Sequence, residues 1–226
     1  MNGDMSTLSP VRIGISACLL GERVRFDGNH KRDAFLAEVF GRHVTWVPVC
    51  PEVEMGLGVP RETMRLEQHG SEVRLVAPKT GADHTDRLRT FAAQRLAVLG
   101  RERLCGYILR KDFPSCGMER VRLYPTTGGP NRSGRGLFAA ALLQRFPHLP
   151  VEEEGRLQDP RLRENFVTRV FAYQHWRQLA EQQITRAALL RFHARHKFLL
   201  AAHSQTGARR VGRLLAHPGQ FPDAQA

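Results

Sequence analysis

The sequence predicts an α/β fold, a mainly parallel sheet covered by helices, followed by a small all-helical C-terminal part. Three observations carry this reading. Short apolar runs rich in β-branched and aromatic residues alternate with segments of helical periodicity. Patterning and charge change after about residue 155. The chain has 226 residues, 42% of them apolar, enough for one sizeable core with a smaller appendage.

VRIGISA (11–17) is the first strand candidate, and HKRDAFLAEVF (30–40) follows as a helix with Phe35, Leu36, Val39 and Phe40 on one face. HVTWVPV (43–49) reads as the second strand. Leu88, Ala92, Leu96 and Leu99 mark a helix that Asp83 or Thr85 is placed to cap. LCGYILR (104–110) is the third strand, and Leu137, Phe138, Ala141 and Leu142 form the stripe of another helix. Alternation of this kind implies parallel strands, because each crossover helix must cover a sheet face. LPVEEEGRLQDP (149–160) is polar with two prolines, and it suggests a boundary that divides the chain into residues 1–155 and 156–226. Beyond it, Leu162, Phe166, Val170 and Tyr173 follow one helical stripe. Leu189, Phe192, Leu199 and Leu200 begin a second, and a third short pattern surrounds Arg209 to Leu215.

Composition excludes several classes. Four cysteines are too sparse for a disulfide framework, MNGDMSTLSP lacks the basic and apolar segments of a signal peptide, and no run of eighteen apolar residues occurs. The expectation is a cytoplasmic protein with no membrane span, whose thiols stay reduced. The net charge is +12, of which +8 falls in residues 156–226, so a polyanionic partner is expected.

The cysteines sit at informative places. Cys18 follows the first strand, Cys50 the second, and Cys116 lies six residues beyond the third, in KDFPSCG. In open α/β sheets ligands bind at the carboxyl ends of the strands, so three thiols are placed to converge. Cys105 lies inside a strand pattern and reads as a buried apolar residue. Three thiols have few uses. A structural zinc wants a fourth ligand, and no CxxC or histidine knuckle supplies one. An iron–sulfur cluster held by three cysteines leaves one iron open to a substrate. The remaining reading is cysteines that are simply buried or isolated, and spacing alone leaves these alternatives open.

ISACLLGERVRFDGNHKRD, VPVCPEVEMGLGVPRE, LRKDFPSCG and the later GRLQDPRLRENFVTRVF resemble the family catalogued as domain of unknown function 523, to which thiouracil desulfidases belong. The resemblance covers about residues 12–155 and holds all three cysteine motifs in order. It implies a [4Fe-4S] cluster on Cys18, Cys50 and Cys116, and a thiolated pyrimidine substrate whose sulfur leaves as hydrogen sulfide. RFHARHKFLLAAHSQ (191–205) resembles the start and middle of domain of unknown function 1722. The pair together resembles bacterial tRNA 4-thiouridine desulfidases, which implies tRNA containing 4-thiouridine as partner, with a free thiouracil-type substrate beside it. Two other classes stay open: an RNA-binding module with a structural metal or cluster, and an iron–sulfur electron-transfer protein.

The reaction needs proton transfer, for which Glu52 leads, followed by Asp27 and Glu54. The competing reading of Glu52 is a carboxylate that binds an arginine or caps a turn. Ser115 is placed to hydrogen-bond the cluster or the base, unless it is only a turn residue after Pro114. Arg25, Arg61 and Lys111 fall within the cysteine motifs and are the nearer candidates for substrate or phosphate contact. TTGGPNRSGRG lacks GxxxxGK[ST] and is not a Walker loop; its two arginines, Arg132 and Arg135, are placed to hold nucleotide phosphates unless the stretch is only a solvated loop. In the tail, His193, His196 and His203 have no HExxH context and read as surface or partly buried histidines. Arg191, Arg195, Lys197, Arg209, Arg210 and Arg213 form the candidate RNA-backbone surface.

Overall fold

A computed structural model describes residues 10–182 and 184–216. In chain order the strands and helices are β1 (Arg12–Ser16), β2 (Thr45–Val49), α1 (Pro51–Glu54), β3 (Arg65–His69), β4 (Glu72–Ala77), β5 (Ala82–Asp83) and α2 (Thr85–Arg101). There follow β6 (Gly106–Leu109), β7 (Val121–Pro125), β8 (Asn131–Gly134), α3 (Leu137–Arg145), β9 (Val151–Glu153), α4 (Pro160–Ala180), α5 (Arg186–His203) and α6 (Gln205–Ala216). The described chain forms two compact units that divide between Val170 and Phe171.

In the first unit the order β2-β1-β6-β9 makes a four-stranded sheet whose pairings are all parallel. This is the expected sheet, and its three leading strands are the expected ones. β1 and β6 are buried on both faces and read as apolar runs: Ile13, Ile15 and Ile108 are fully enclosed. Gly14 lies beside Tyr107 in the register, and a Cβ there would meet the ring at 2.2 Å. Only glycine lets the aromatic ring lie flat on β1.

A second sheet, β5-β4-β3-β7-β8, has no counterpart among the expected elements. It is antiparallel except for β3 with β7. Its inner face supplies Leu66, Leu75, Val121 and Leu123 to a core shared with Met55 and Leu88. Each such leucine contributes about 1.5–3 kcal/mol by burial.

Three other expectations need correction. The segment at 30–40 is a π-helical turn, Phe35–Val39, followed by a 3-10 turn, Phe40–Arg42. The wider winding buries Leu36 and Phe40 but turns Val39 out to solvent. LPVEEEGRLQDP is no linker, because β9 runs through it and Glu152, Glu153 and Glu154 are buried. The start of α4 also packs with the first unit, where a Cβ on Gly106 would meet both Phe166 and Val170. Finally, of the two residues placed to cap α2 only Asp83 serves its first amide, Oδ1 accepting from Thr85 N at 2.9 Å, whereas the Thr85 hydroxyl accepts from Leu75 N at 2.9 Å and ties the helix to β4.

The second unit holds the end of α4 with α5 and α6. Thr185 caps α5 by accepting from Ala188 N. No described helix is long and apolar enough to cross a membrane.

Candidate active site

Parallel pairing puts the carboxyl ends of β2, β1 and β6 side by side, and each leads to a cysteine. β1 ends at Ser16 and enters a 3-10 turn, Ala17–Leu20, that carries Cys18. β2 ends at Val49, and Cys50 is the residue from which α1 starts, with Pro51 as its first helical position. The third cysteine is reached through a longer segment. Lys111 N donates to Glu154 Oε2 at 2.8 Å, and Met118 N donates to Glu153 Oε1 at 2.7 Å. Between those ties, α3 begins against the loop: Leu137 N donates to Pro114 O, while Phe138 N and Ala139 N both donate to Ser115 O. The unpaired donors of a helix N-terminus thus hold Ser115 and Cys116 in place.

Cys18, Cys50 and Cys116 line one cavity of about 300 Å³ measured to its mouth, together with Arg25, Glu52, Arg61, Arg110, Phe113 and Ser115. Burial pushes the Cys18 thiol up to about 12, with the neighbouring Cys50 adding to it. Burial also raises Cys50 and, further, Cys116. Two buried thiols and the half-buried Cys50 favour the thiolate form once a cation arrives to compensate the charge. Cys105 is buried elsewhere, just before β6.

The soft donor set fits an iron–sulfur cluster. Among the described residues no three histidine, cysteine or carboxylate side chains are gathered as a single ion requires. A four-iron cluster binds each thiolate at a different iron, so it suits thiols that share a cavity without crowding one point.

Beside the thiols lies a buried acid–base group. Glu52 is 4% exposed and Ser115 1%. Ser115 Oγ donates to Glu52 Oε1 at 2.8 Å and stands 3.5 Å from Cys116 Sγ. Glu52 Oε2 accepts from Arg61 Nε at 3.1 Å and also from Arg61 Nη2. Arg61 spends its other hydrogen bonds on Val24 O and Gly58 O, each at 3.0 Å. It is therefore a fixed part of the wall, with its donors committed.

The remaining sequence candidates separate. Arg25 lines the cavity, its guanidinium 5.3 Å from the Phe26 ring centre and 5.5 Å from that of Phe113. Asp27 is exposed and pairs with Arg25, whose hydrogen bond holds its carboxyl down at about 2. It steers Arg25 and does not face the thiols. Glu54 also lies outside the cavity: it accepts from Cys50 N at 2.9 Å and pairs with Arg95, closing the start of α1. Lys111 is exposed and contributes its backbone. Arg132 pairs with Asp112 at 3.0 Å, and Arg135 Nε donates to Met118 O at 2.9 Å. Within the stretch 126–136 only Asn131–Gly134 forms a strand, β8, which carries Arg132; Arg135 follows it. Sequence reading missed Arg110, which lines the cavity and pairs with buried Glu154. Its signal is its place directly after β6, one residue before Lys111.

Arg191, Arg195, Lys197, Arg209, Arg210 and Arg213 are all exposed on α5 and α6. Arg191 and Arg195 share one helical face, as do Arg209, Arg210 and Arg213.

Fold and site together define an α/β enzyme whose chemistry centres on three thiols. The chain belongs to the 2-thiouracil desulfurase family, whose model matches residues 13–154. It is similar to a solved structure, the [4Fe-4S]-dependent thiouracil desulfidase TudS, at 29% identity and a TM-score of 0.55, over 70% of this chain and 99% of that one. No curated protein matches. The helices beyond residue 154 lie outside the family match, as does the segment with the second sequence resemblance.

Proposed function

We propose that the protein removes sulfur from 4-thiouridine in tRNA, giving uridine and hydrogen sulfide, in the reducing setting of the cytoplasm. The observation that carries the reading is the convergence of Cys18, Cys50 and Cys116 in one cavity with the Glu52–Ser115 pair. These cysteines would hold a [4Fe-4S] cluster. Ligated by three thiolates, such a cluster would supply Lewis acidity toward a thiocarbonyl sulfur.

The overall exchange is balanced by water: one thiocarbonyl and one water give one carbonyl and one hydrogen sulfide. Glu52 Oε1 accepts the proton of the attacking water, and Ser115 Oγ, hydrogen-bonded to that oxygen, returns it toward the departing sulfur. Arg61 keeps Glu52 aimed into the cavity. Arg25 and Arg110 place positive charge on the cavity wall, where sulfur leaves as an anion. Phe113 offers a face for the pyrimidine ring.

The choice of tRNA is supported by the helical unit. Among the described residues none of its six candidate cations has an acidic partner, which suits contact with phosphates. The test is anaerobic conversion by the reconstituted full chain. Iron and sulfide should each reach about four per chain, and the 4-thiouridine content of tRNA should fall. Single alanine variants of Cys18, Cys50 and Cys116 should lose iron, and Cys105→Ala should keep it. The triple variant Arg209→Glu, Arg210→Glu, Arg213→Glu should slow tRNA conversion more than thiouracil conversion. Conversion of thiouracil with untouched tRNA would overturn the tRNA reading and leave a free-pyrimidine desulfidase.

A further inference from the structure

The second sheet carries an arrangement that the thiol chemistry does not use. On its outer face Arg65 of β3 stands beside Arg122 of β7, since Leu66 registers with Leu123 in a parallel pair. Arg132 follows on β8, the strand paired with β7. Like charges on adjacent strands destabilise a sheet. Glu67 partners Arg65, and Asp112 partners Arg132. Arg122 is exposed and has no acidic partner among the described residues. The three guanidinium groups line a cavity of about 580 Å³ with Met64, Asp112, Pro114 and Tyr124. Arg65 lies over the Tyr124 ring, 4.6 Å from its centre.

A third cavity lies between this one and the thiol cavity: it shares Glu52 and Phe113 with the thiol cavity, and Met64, Asp112 and Pro114 with the arginine cavity. The three are neighbours on the first unit, with the thiols at one end and the arginines and an aromatic ring at the other. A row of cations beside an aromatic face is the chemistry that binds the backbone and bases of single-stranded nucleic acid.

We propose that the arginine cavity is a subsite for the phosphodiester backbone of the RNA strand flanking the reacting nucleotide, so that the α/β unit grips RNA without the helical unit. The proposal rests on the reading of thiolated RNA as substrate. Arg122 and Arg65 bind phosphate oxygens, and Tyr124 stacks on a neighbouring base. The middle cavity spans the distance between the gripped phosphate and the base presented to the thiols.

The experiment uses the full chain and a fluorescent oligouridylate without sulfur, so that binding is read independently of turnover. Arg122→Glu should weaken binding about tenfold, and Arg122→Ala should reduce the slope of log affinity against log salt by about 0.7, one phosphate contact on a single strand. For the loaded enzyme, the ratio of kcat/KM on a thiolated oligonucleotide to that on free thiouracil should fall in step. Unchanged oligouridylate affinity and salt slope in both variants, with the fold intact by circular dichroism, overturns the subsite. Equal weakening toward uridine monophosphate assigns the cavity to a single terminal phosphate, and overturns the backbone assignment. Weakened binding by an enzyme that converts no thiolated RNA leaves the subsite standing and removes the proposed reaction instead.

Discussion

Replacing Gly136 with alanine places a methyl carbon 2.5 Å from Ser115 C and O and 2.8 Å from Cys116 N. All three are backbone atoms, so no side chain can swing aside. Ordinary contact begins at 3.4 Å, and the 114–117 segment must therefore retreat by about 0.9 Å, the difference between 3.4 and 2.5 Å. Overpacking of this kind costs about 1–3 kcal/mol, which lowers the unfolding midpoint by roughly 2–12 °C. The functional loss should be larger, because a displacement of ~1 Å at a reacting centre costs about 10²-fold. Thermal unfolding, iron content and the rate of thiouracil-to-uracil conversion measure the three effects on one preparation. Gly100→Ala is the control: its Cβ would meet only Phe146, at 3.9 Å, and inside α2 alanine should gain about 0.5–1 kcal/mol. Wild-type turnover with full iron content in Gly136→Ala would refute the view that α3 positions Cys116.

Two further outcomes follow from the same geometry. Glu52→Gln keeps an acceptor for Ser115 but removes the proton acceptor and the charge opposite Arg61, whose side chain is 5% exposed. Conversion should drop about 10²–10⁴-fold with iron retained, and the unpaired Arg61 should cost about 3–5 kcal/mol; loss of iron instead would make Glu52 part of cluster binding. In the helical unit, burial, with Arg195 nearby, depresses both His175 and His196 below the ordinary 6.5. The native state therefore favours their neutral forms, so its stability is full above 6.5 and is lost as pH falls through that value toward the depressed ones. Melting of this unit should be lower at about pH 5 than at about pH 7.5, and the double variant His175→Gln, His196→Gln should flatten the difference.

The parts of the site legible in sequence were those set by strand ends. β1 and β6 are buried on both faces and the edge strand β2 buries Val47 and Val49, so each appears as an apolar run with its cysteine at a readable distance. The second sheet was hidden because RLEQH, EVRLVA and VRLYP are half-buried and short, with a single apolar residue, Leu66, in the first. Its clearest signal was Gly70–Ser71 between β3 and β4, with Gly70 at φ 60°, a two-residue turn of the kind that closes hairpins. EEE at 152–154 misled for another reason. A run of carboxylates suggests solvent, yet these accept from Arg156 Nε, Met118 N and Lys111 N, and the last two are backbone amides remote in sequence. Glu52 and Glu54 are separated by helix phase on α1, where only Glu52 lines the cavity, and Asp27 lies in an exposed turn.

The segment from Lys111 to Met118 lacks regular structure, but it should not behave as a loop in time. Both of its end amides donate to buried carboxylates of the strap around β9, and its middle carbonyls take the first donors of α3. Local opening would break all of these at once and expose two carboxylates, so fraying in small steps has little to offer. Amide hydrogen exchange should find Lys111, Gly117 and Met118 protected along with β6 and β9, as one cooperative unit. A surface turn that opens only with its sheet keeps the third thiol in register between turnovers.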